Sequence, residues 1–339
     1  MLINNRAEAM YDVRQHPDSS SMGNLDWPPK EASDNRRKFL YRNVLTGTAM
    51  TKTFKEKYED EIMANSATRM SGRVIVSQVE FSDFAEEFNS DIETVIPLAD
   101  TGVLEDCYMV YLGRNSAERY SSQEVLELEL KRAISIFNSE EPAKKQADFF
   151  MIRPLRDEER TSMVDVFLEL YAPFHWQREN VEQILNSQDN VIMVAMGTEG
   201  SLAGSVLAEI ATIEIDRDGV SISFQMAEIS EAATRKDFRN NGLYGALSNS
   251  LLYVLADKTD PNLVFGEVNL KAPGALKTAA RQGRIPAFAT AQQLNIPHAC
   301  CLNQHVGIAE GSPEEEVPGY NNLMPAWLTK KQLKQFVDF

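Results

Sequence analysis

The segment AEISEAATRKDFRNNGLYGAL, which begins at Ala227, holds the residues best suited to chemistry. Its pattern predicts a strand, a short loop and a glycine-containing turn that opens a long helix. The first turn of such a helix leaves several backbone N–H groups unpaired and pointing at one spot, where the peptide dipoles add partial positive charge. A pyrophosphate fits this cradle, and glycine permits its close approach. The residues at those positions are Arg239, Asn240, Asn241, Gly242, Leu243 and Tyr244.

An ordinary strand-to-helix turn, capped by Asn240 or Asn241, accounts for the same residues, and their spacing alone leaves both interpretations open. Three better-known motifs are absent from the chain. It contains no G-x-G-x-x-G dinucleotide motif, no G-x-x-x-x-G-K-[ST] phosphate loop and no G-x-S-x-G nucleophile elbow. A nucleotide hydrolase and a serine hydrolase are therefore unsupported.

The composition excludes several classes of protein. The chain has 339 residues, with 34 Lys and Arg against 50 Asp and Glu, so its formal net charge is −16. This acidic balance argues against nucleic acid or an anionic membrane surface as a partner. The three cysteines include the neighbours Cys300 and Cys301, so neither a disulfide framework nor a metal site is predicted. No secretory signal or membrane-spanning apolar run is visible, so a soluble, cytoplasmic protein is expected.

The elements that must position the segment fall into four predicted regions: a flexible arm over 1–36, a smaller α/β domain of unknown role over 37–147, a larger domain over 148–308, and an acidic loop with a helix over 309–339. Helices are predicted over 53–70, 122–138, 157–171, 178–187, 240–258, 273–281 and 328–336. Strands are predicted over 73–81, 107–112, 149–155, 191–196, 202–215, 220–233 and 263–268. The order β-α-α-β-β-β-α-β-α in the larger domain predicts an α/β (α+β) fold with a mixed, mostly antiparallel sheet and helices on both faces.

The loop Arg239-x-x-Gly242-x-x-Gly245 after the strand resembles the acyl-CoA-binding segment of the GNAT-fold N-acetyltransferases. The family pattern is Gln/Arg-x-x-Gly-x-Gly/Ala. Arg239 and Gly242 match it, whereas Tyr244 stands where the second small residue is expected. The resemblance covers residues 148–308, and the predicted order of elements agrees with that fold. A narrower likeness is to β-lysine N-acetyltransferases, which carry a similar segment and an extra domain before the transferase domain.

The resemblance implies a site for acetyl-CoA, or another acyl-CoA, as cosubstrate, and it implies no metal. In this fold the strand before the loop splays from the next parallel strand, and the pantetheine arm enters the gap. Backbone groups of Ala232, Ala233 and Thr234 are expected to bind the arm, and N–H groups from Asn240 to Gly245 the pyrophosphate. Asn269, which follows the next strand, is equally well explained as a ligand of the arm or as a cap.

A general base is needed because an amine is protonated at neutral pH and must lose a proton before it attacks a thioester. Glu228 lies eleven residues before Arg239, the spacing at which family members place a catalytic glutamate. Strand alternation predicts Glu228 on the face of Ser230 and Ala232, with Glu231 on the other face. Glu231 is the substitute and Glu209 a third choice. The alternative for Glu228 is a structural carboxylate paired with a lysine or arginine.

The acid that reprotonates the leaving thiolate is missing from its expected place. The family often supplies a tyrosine four residues before a glycine, and here that position is Ala279, counted back from Gly283. Tyr244, His298 or Cys300 could replace it. A coenzyme A thiolate can also leave unassisted, because its acidity is close to that of ordinary thiols.

The acceptor amine is expected over the first two helices of the larger domain, where Tyr171, His175 and Trp176 form an aromatic loop suited to a cation. The sequence thus predicts an acyl-CoA-dependent N-acyltransferase that acts on a primary amine of a small amine or amino acid, by direct transfer in a ternary complex. A non-catalytic acyl-CoA or acyl-carrier binding protein, an interaction protein and a protein-lysine acetyltransferase stay open as alternatives. A homodimer is also left open.

Overall fold

The structure, a computed structural model, describes residues 37–46, 69–115, 123–143, 150–170, 178–197, 200–217, 220–307 and 319–338. The strands are β1 (Arg37–Thr46), β2 (Arg69–Ser77), β3 (Ile92–Pro97), β4 (Cys107–Asn115), β5 (Met151–Pro154), β6 (Asn190–Met196), β7 (Leu202–Arg217), β8 (Val220–Thr234), β9 (Leu263–Asn269), β10 (Ile285–Pro286), β11 (Leu302–Gly307) and β12 (Gly319–Thr329). The helices are α1 (Phe81–Phe88), α2 (Gln123–Ser139), α3 (Val164–Leu170), α4 (Arg178–Asn186), α5 (Leu243–Lys258), α6 (Pro273–Arg281), α7 (Ala287–Gln293) and α8 (Lys330–Asp338).

The larger sheet has the strand order β10-β12-β9-β8-β7-β6-β5, and β11 pairs with β12. The pair β8 and β9 is parallel, and every other neighbouring pair in this sheet is antiparallel. This arrangement confirms the predicted fold class, a GNAT-like mixed and mostly antiparallel sheet preceded by a smaller α/β region.

Alternation of apolar side chains places helices on both faces of this sheet. In β6, Ile192 and Val194 pack against α3 and α4. Met193 and Ala195, on the other face, pack under α5 and α8. Each side chain of this size that is fully buried stabilises the fold by about 1.5–3 kcal/mol, so these two clusters hold the strands of the site firmly in place.

Residues 37–143 contribute a second sheet of order β1-β2-β4-β3. Its core is continuous with one face of the larger sheet, because Met109 and Val110 belong to the same buried cluster as Phe224 and Phe265. Hydrogen bonds also cross between the two sheets: Asn262 Nδ2 donates to the carbonyl oxygen of Thr101 over 3.0 Å. The two sheets therefore form one packed unit.

Several predicted element bounds need correction. The strand predicted over 73–81 ends at Ser77, and Phe81 opens α1. The helix predicted over 157–171 consists of two 3-10 turns followed by the short α3. The helix predicted from 240 begins at Leu243, because Gly242 at its start has φ 72° and lies outside the helical region. The helix predicted over 53–70 lies outside the described residues except for Arg69 and Met70, which belong to β2, so its predicted end is wrong.

Strand β12 was not predicted, although it pairs with β9 along seven residues. Its centre holds Pro325, which cannot donate a backbone hydrogen bond and normally argues against a central strand. The structure accommodates it because β11 pairs with β12 up to Leu323 and β10 pairs from Ala326. Pro325 thus lies where that edge of β12 has no partner. The sheet consequently runs past the boundary that the sequence placed after residue 308.

The described helices also bear on the membrane question. Over the residues that the structure describes, none of them combines the length and the apolar character needed to cross a bilayer.

Candidate functional site

Strands β8 and β9 separate part-way along their length. Their parallel ladder begins at the pair Met226 and Leu263 and ends at the pair Ile229 and Gly266. Beyond that pair, the Ala232 to Thr234 segment of β8 stays bonded to β7 on one edge. Its other edge, towards β9, has no strand partner in the described part of the chain. We call the space between β8 beyond Ile229 and β9 beyond Gly266 the gap.

The closed end of the gap depends on a glycine. A Cβ on Gly266 would lie 2.8 Å from the carbonyl oxygen of Ile229, which is too close for a real contact. Because residue 266 has no side chain, β9 can approach β8 at this point before the two strands diverge.

A bulge in β8 lies beside the gap. Along β7, Val206 pairs with Ala232 and Ala208 pairs with Ile229, so the one residue between them on β7, Leu207, opposes two residues on β8. The extra residue turns Ala232 to the face of Ile229, where both pack into the cluster under α5. The prediction that Ala232 shares a face with Glu228 is therefore wrong, because alternation does not continue through a bulge.

The first turn of α5 lies just beyond the open end of β8. Gly242 is the N-cap residue in the left-handed conformation, and no side chain caps the helix. The predicted alternative of a turn capped by Asn240 or Asn241 is therefore wrong. No described residue accepts a hydrogen bond from the backbone N–H of Asn241, Gly242 or Leu243. These donors are of the kind that binds an anion at a helix start.

The side chains of the loop are tied to its backbone. Arg239 is exposed, and its Nε donates to the carbonyl oxygen of Thr234 over 3.2 Å. Asn241 Nδ2 donates to the carbonyl oxygen of Phe238 over 3.4 Å. The contact of Arg239 links the loop to the end of β8, so its cationic side chain lies beside both the helix start and the gap.

Glu228 lies on the face of the sheet that the second sheet covers. Its Oε2 accepts a hydrogen bond from Nη2 of Arg73 in β2 over 2.8 Å. Its Oε1 has no hydrogen-bond donor among the described residues, and 14% of the side chain is exposed. The structure thus shows the ion pair that the sequence offered as the alternative for Glu228, while it leaves one carboxylate oxygen open to accept a proton.

Arg73 is buried between the two sheets. Its guanidinium lies over the rings of Tyr111 and Phe265, 4.9 and 4.8 Å from their centroids, and Nη2 is 3.9 Å from Oε1 of Glu267. Burial works against its charge, but the carboxylates of Glu228 and Glu267 outweigh this and raise the pKa of the guanidinium above its usual range. Arg73 therefore stays charged and fixes Glu228.

Of the other two candidate bases, the structure describes the side chain of Glu209 but not that of Glu231. Glu209 lies directly opposite Glu228 on β7 and is 4% exposed. Its Oε1 accepts a hydrogen bond from Oγ of Ser230 over 3.1 Å, which confirms that Ser230 shares the face of Glu228. Glu231 lies within the bulge of β8, and its side chain is outside the described set.

The remaining predicted residues are scattered. Asn269 behaves as a strand-end cap, because its Oδ1 accepts the N–H of Lys271 over 2.9 Å. His298 is hydrogen-bonded through Nε2 to the carbonyl oxygen of Asn89, which lies in the 3-10 turn just before β3 of the smaller sheet. Cys300 is buried, and its backbone pairs with that of Thr94 in β3 as an isolated antiparallel β-bridge. The structure does not place His298 or Cys300 at the gap. Tyr171, His175 and Trp176 lie outside the described residues.

Arg284 was missed by sequence reasoning and lies at the closed end of the gap. A Cβ on Gly266 would be 3.2 Å from its Nη1. Tyr244, half-buried in α5, is close enough to interact electrostatically with it. Its only sequence signal is its place directly after Gly283, which gives no reason to expect a buried cation at the split between two strands.

Three comparisons with known proteins were made, and one of them found matches. No protein-family profile and no curated protein sequence matches the chain. Solved structures that resemble it include Arabidopsis thaliana NAA60 with acetyl-CoA, at 14% identity over 53% of this chain and 98% of that one, with a TM-score of 0.38. Mutant forms of the spermidine/spermine N-acetyltransferase SpeG from Vibrio cholerae match at 11% identity over 56% and 98%, with a TM-score of 0.35.

A third structure is an aminoglycoside acetyltransferase from an uncultured soil metagenomic sample, at 15% identity over 33% of this chain and 72% of that one, with a TM-score of 0.26. The second and third of these proteins are named as acetyltransferases, and the first was solved with acetyl-CoA.

Proposed function

We propose that this chain is an acyl-CoA-dependent N-acyltransferase, with acetyl-CoA or another acyl-CoA as donor and a small amine or amino acid as acceptor. The observation that carries the proposal is the unpaired edge of β8 at the gap, directly followed by a helix start with unpaired N–H groups. An extended chain with amide groups can bond to such an edge as a further strand would. A pyrophosphate at its end can bind the helix start.

The direction of the bound cosubstrate follows from this arrangement. Its pyrophosphate lies at Asn241 to Leu243 and its amide-containing arm runs along Ala232 to Thr234. Its acyl end then lies towards Ile229 and Gly266. The exposed guanidinium of Arg239 at the loop adds positive charge beside the phosphates, so a site for a polyanion exists on a protein of net charge −16.

The chemistry requires one proton acceptor. The amine nitrogen attacks the thioester carbonyl carbon, the new C–N bond forms, and the C–S bond breaks as coenzyme A thiolate leaves. Glu228 takes the amine proton on Oε1, while Arg73 holds Oε2 in place. Glu209 and Glu231 are the substitute bases, and Tyr244 is the remaining residue of the helix start that can act as the acid.

A second candidate function is an acyl-CoA binding protein without turnover. The ion pair between Arg73 and Glu228 favours it, because the same contact serves a purely structural carboxylate. The two functions differ in one respect. A protein that only binds acyl-CoA keeps its whole function when the Glu228 carboxylate is removed, whereas an enzyme that uses Glu228 as its base loses catalysis.

The test uses the full chain. Calorimetry with acetyl-CoA measures binding, and a thiol reagent measures release of coenzyme A in the presence of diamines, polyamines, amino acids and a Lys-rich peptide. We expect saturable binding and amine-dependent release with at least one acceptor class. Absence of both would overturn the proposal. Binding without release from any acceptor would favour the second candidate, and release with the peptide alone would favour a protein-lysine acetyltransferase.

A further inference from the structure

The described residues contain a second buried arginine whose surroundings differ from those of Arg73. Arg284 is 5% exposed and follows the C-terminal end of α6. Its Nη1 lies at the closed end of the gap, above Gly266, where a Cβ would be 3.2 Å away. Larger residues at 266 would displace it, so the guanidinium occupies the space that this glycine leaves.

Neutral polar side chains hold this guanidinium in place. Nε donates to Oε1 of Gln282 over 2.8 Å, and Nη2 donates to Oγ of Ser248 over 3.3 Å. Gln282 in turn donates to Ser248 and to Oδ1 of Asn249, over 3.0 and 2.8 Å. All three neighbours are buried. The network fixes the direction of the guanidinium but supplies no negative charge.

No carboxylate of the described residues neutralises Arg284, whereas Arg73 has two. Burial accordingly lowers the pKa of Arg284, and the Tyr244 hydroxyl is the one group that opposes this. A buried cation without a counter-ion is costly, and groups perturbed in this way are concentrated at functional sites.

One nitrogen of the Arg284 guanidinium, Nη1, is available to a ligand. It donates no hydrogen bond to a described residue. Among the described residues, Tyr111 Oη is the only side-chain polar atom that is both fully enclosed and without a hydrogen-bond partner. Because Nη1 of Arg284 also has no partner, it must be partly accessible. It is therefore free to bond to a ligand that reaches the closed end of the gap.

We propose that Arg284 binds a carboxylate at the closed end of the gap, and that this carboxylate belongs to the acyl group of a dicarboxylic monothioester such as succinyl-CoA. The proposal rests on the proposed function, which places the acyl end towards Ile229 and Gly266. An acetyl group brings no charge to this point, whereas a terminal carboxylate supplies the counter-ion that the fold does not. The acyl-donor specificity of the enzyme is thus a property of Arg284.

The experiment compares binding of free coenzyme A, acetyl-CoA, butyryl-CoA and succinyl-CoA to the full chain by calorimetry. Butyryl and succinyl groups have the same number of carbon atoms and differ in the terminal carboxylate. We expect succinyl-CoA to bind about tenfold or more tightly than butyryl-CoA, because a charge-assisted contact in a buried site is strong. Equal binding of the two thioesters overturns the proposal.

Two variants test the residue itself. Arg284→Met removes the charge with little change of volume, and we expect it to abolish the preference for succinyl-CoA while free coenzyme A binds within about threefold of the unmodified chain. Arg281→Met removes a half-buried arginine that pairs with Glu140 over 2.7 Å and serves as the control. It should keep the preference. A preference that survives Arg284→Met, or an equal loss for all thioesters, overturns the proposal.

A last arm separates the two sources of a carboxylate. With acetyl-CoA as donor, an amino acid and its carboxamide are compared as acceptors. If Arg284→Met raises KM for the amino acid and not for the amide, the carboxylate belongs to the acceptor and the acyl proposal is overturned. Failure of free coenzyme A to bind defeats the proposed function as well. Failure confined to succinyl-CoA defeats this inference alone.

Discussion

Glu228 has two oxygens in different situations, one held by Arg73 and one open. This geometry makes the role of the residue testable. We expect Glu228→Gln to lower kcat by about 100-fold or more, which is the usual contribution of a general base. Binding of acetyl-CoA should change little, because Glu228 lies on the face away from the helix start. Steady-state kinetics and calorimetry on one preparation measure both quantities.

The control for that substitution is Glu267→Gln, which removes the other carboxylate near Arg73. It removes part of the negative charge that neutralises the Arg73 guanidinium, but it leaves Glu228 in place. Full activity in Glu228→Gln, or an equal loss in both variants, would show that Glu228 is structural. Glu209→Gln then becomes the next variant to measure.

A second prediction at this scale concerns pH. Two hydrogen bonds of 2.7 Å from Arg153 hold Glu159, and they lower the pKa of its carboxyl group. Because the folded pKa lies below the unfolded one, the stabilisation is present above the unfolded value and is lost as the pH falls through the folded value. Glu159→Gln should cost about 1 kcal/mol near pH 7.

The difference in unfolding free energy between Glu159→Gln and the unmodified chain should shrink between about pH 5 and pH 3. Urea unfolding at several pH values measures it. Glu158→Gln is the control, since that neighbouring side chain is exposed. A difference that stays constant with pH would contradict the ion pair.

At the scale of elements, the start of α5 is defined by backbone conformation. Gly242 has φ 72°, and Gly200, an exposed residue at which a Cβ would meet nothing within 4 Å, has φ 75°. Alanine at either position costs roughly 1 kcal/mol, since the left-handed conformation disfavours a Cβ. The two substitutions should therefore cost similar amounts of folding free energy.

We expect Gly242→Ala to weaken binding of coenzyme A by about tenfold or more, because it shifts the N–H donors that we propose as ligands of the phosphates. Gly200→Ala should lower the melting temperature by a similar amount and leave binding unchanged. Thermal unfolding and calorimetry on both variants decide this. Equal effects on binding would mean that the loss reflects stability alone.

The elements also show what a sequence can reveal. Regular alternation predicted β6, β7 and β8 closely, and the signals at Pro273 and Arg281 predicted α6 at its observed bounds. The bulge in β8 was not predictable, because it arises from the register with β7 rather than from the residues of β8. The unpaired N–H groups at the start of α5 were predicted from local backbone rules. Arg284 was not, since its position depends on contacts from three separate elements.

At the scale of the whole molecule, the smaller sheet contributes to the site. Arg73 in β2 and Glu228 in β8 are separated by 155 positions in the chain, yet they are 2.8 Å apart and mostly buried. No role for residues 37–147 is evident from the sequence, because a pair this distant in the chain leaves no periodic signal.

This pairing predicts a coupling between the sheets. We expect Arg73→Met to lower the free energy of unfolding by about 3 kcal/mol, because it leaves Glu228 buried without its partner. Combined with Glu228→Gln, the loss should be clearly smaller than the sum of the two single losses. Urea unfolding of the four proteins measures the cycle, and additive losses would exclude a direct interaction.

The position of β12, between β9 and the short edge strands β10 and β11, has a consequence for how the chain is made. Some 50 residues separate the end of β9 at Asn269 from the start of β12 at Gly319. A ribosome that adds about 5–20 residues per second needs about 3–10 s to cover them. Throughout that interval the nascent chain presents β9, with Leu263, Val264 and Phe265, as an open apolar edge that other chains can join. Chaperone protection during synthesis is therefore expected to matter most in this window.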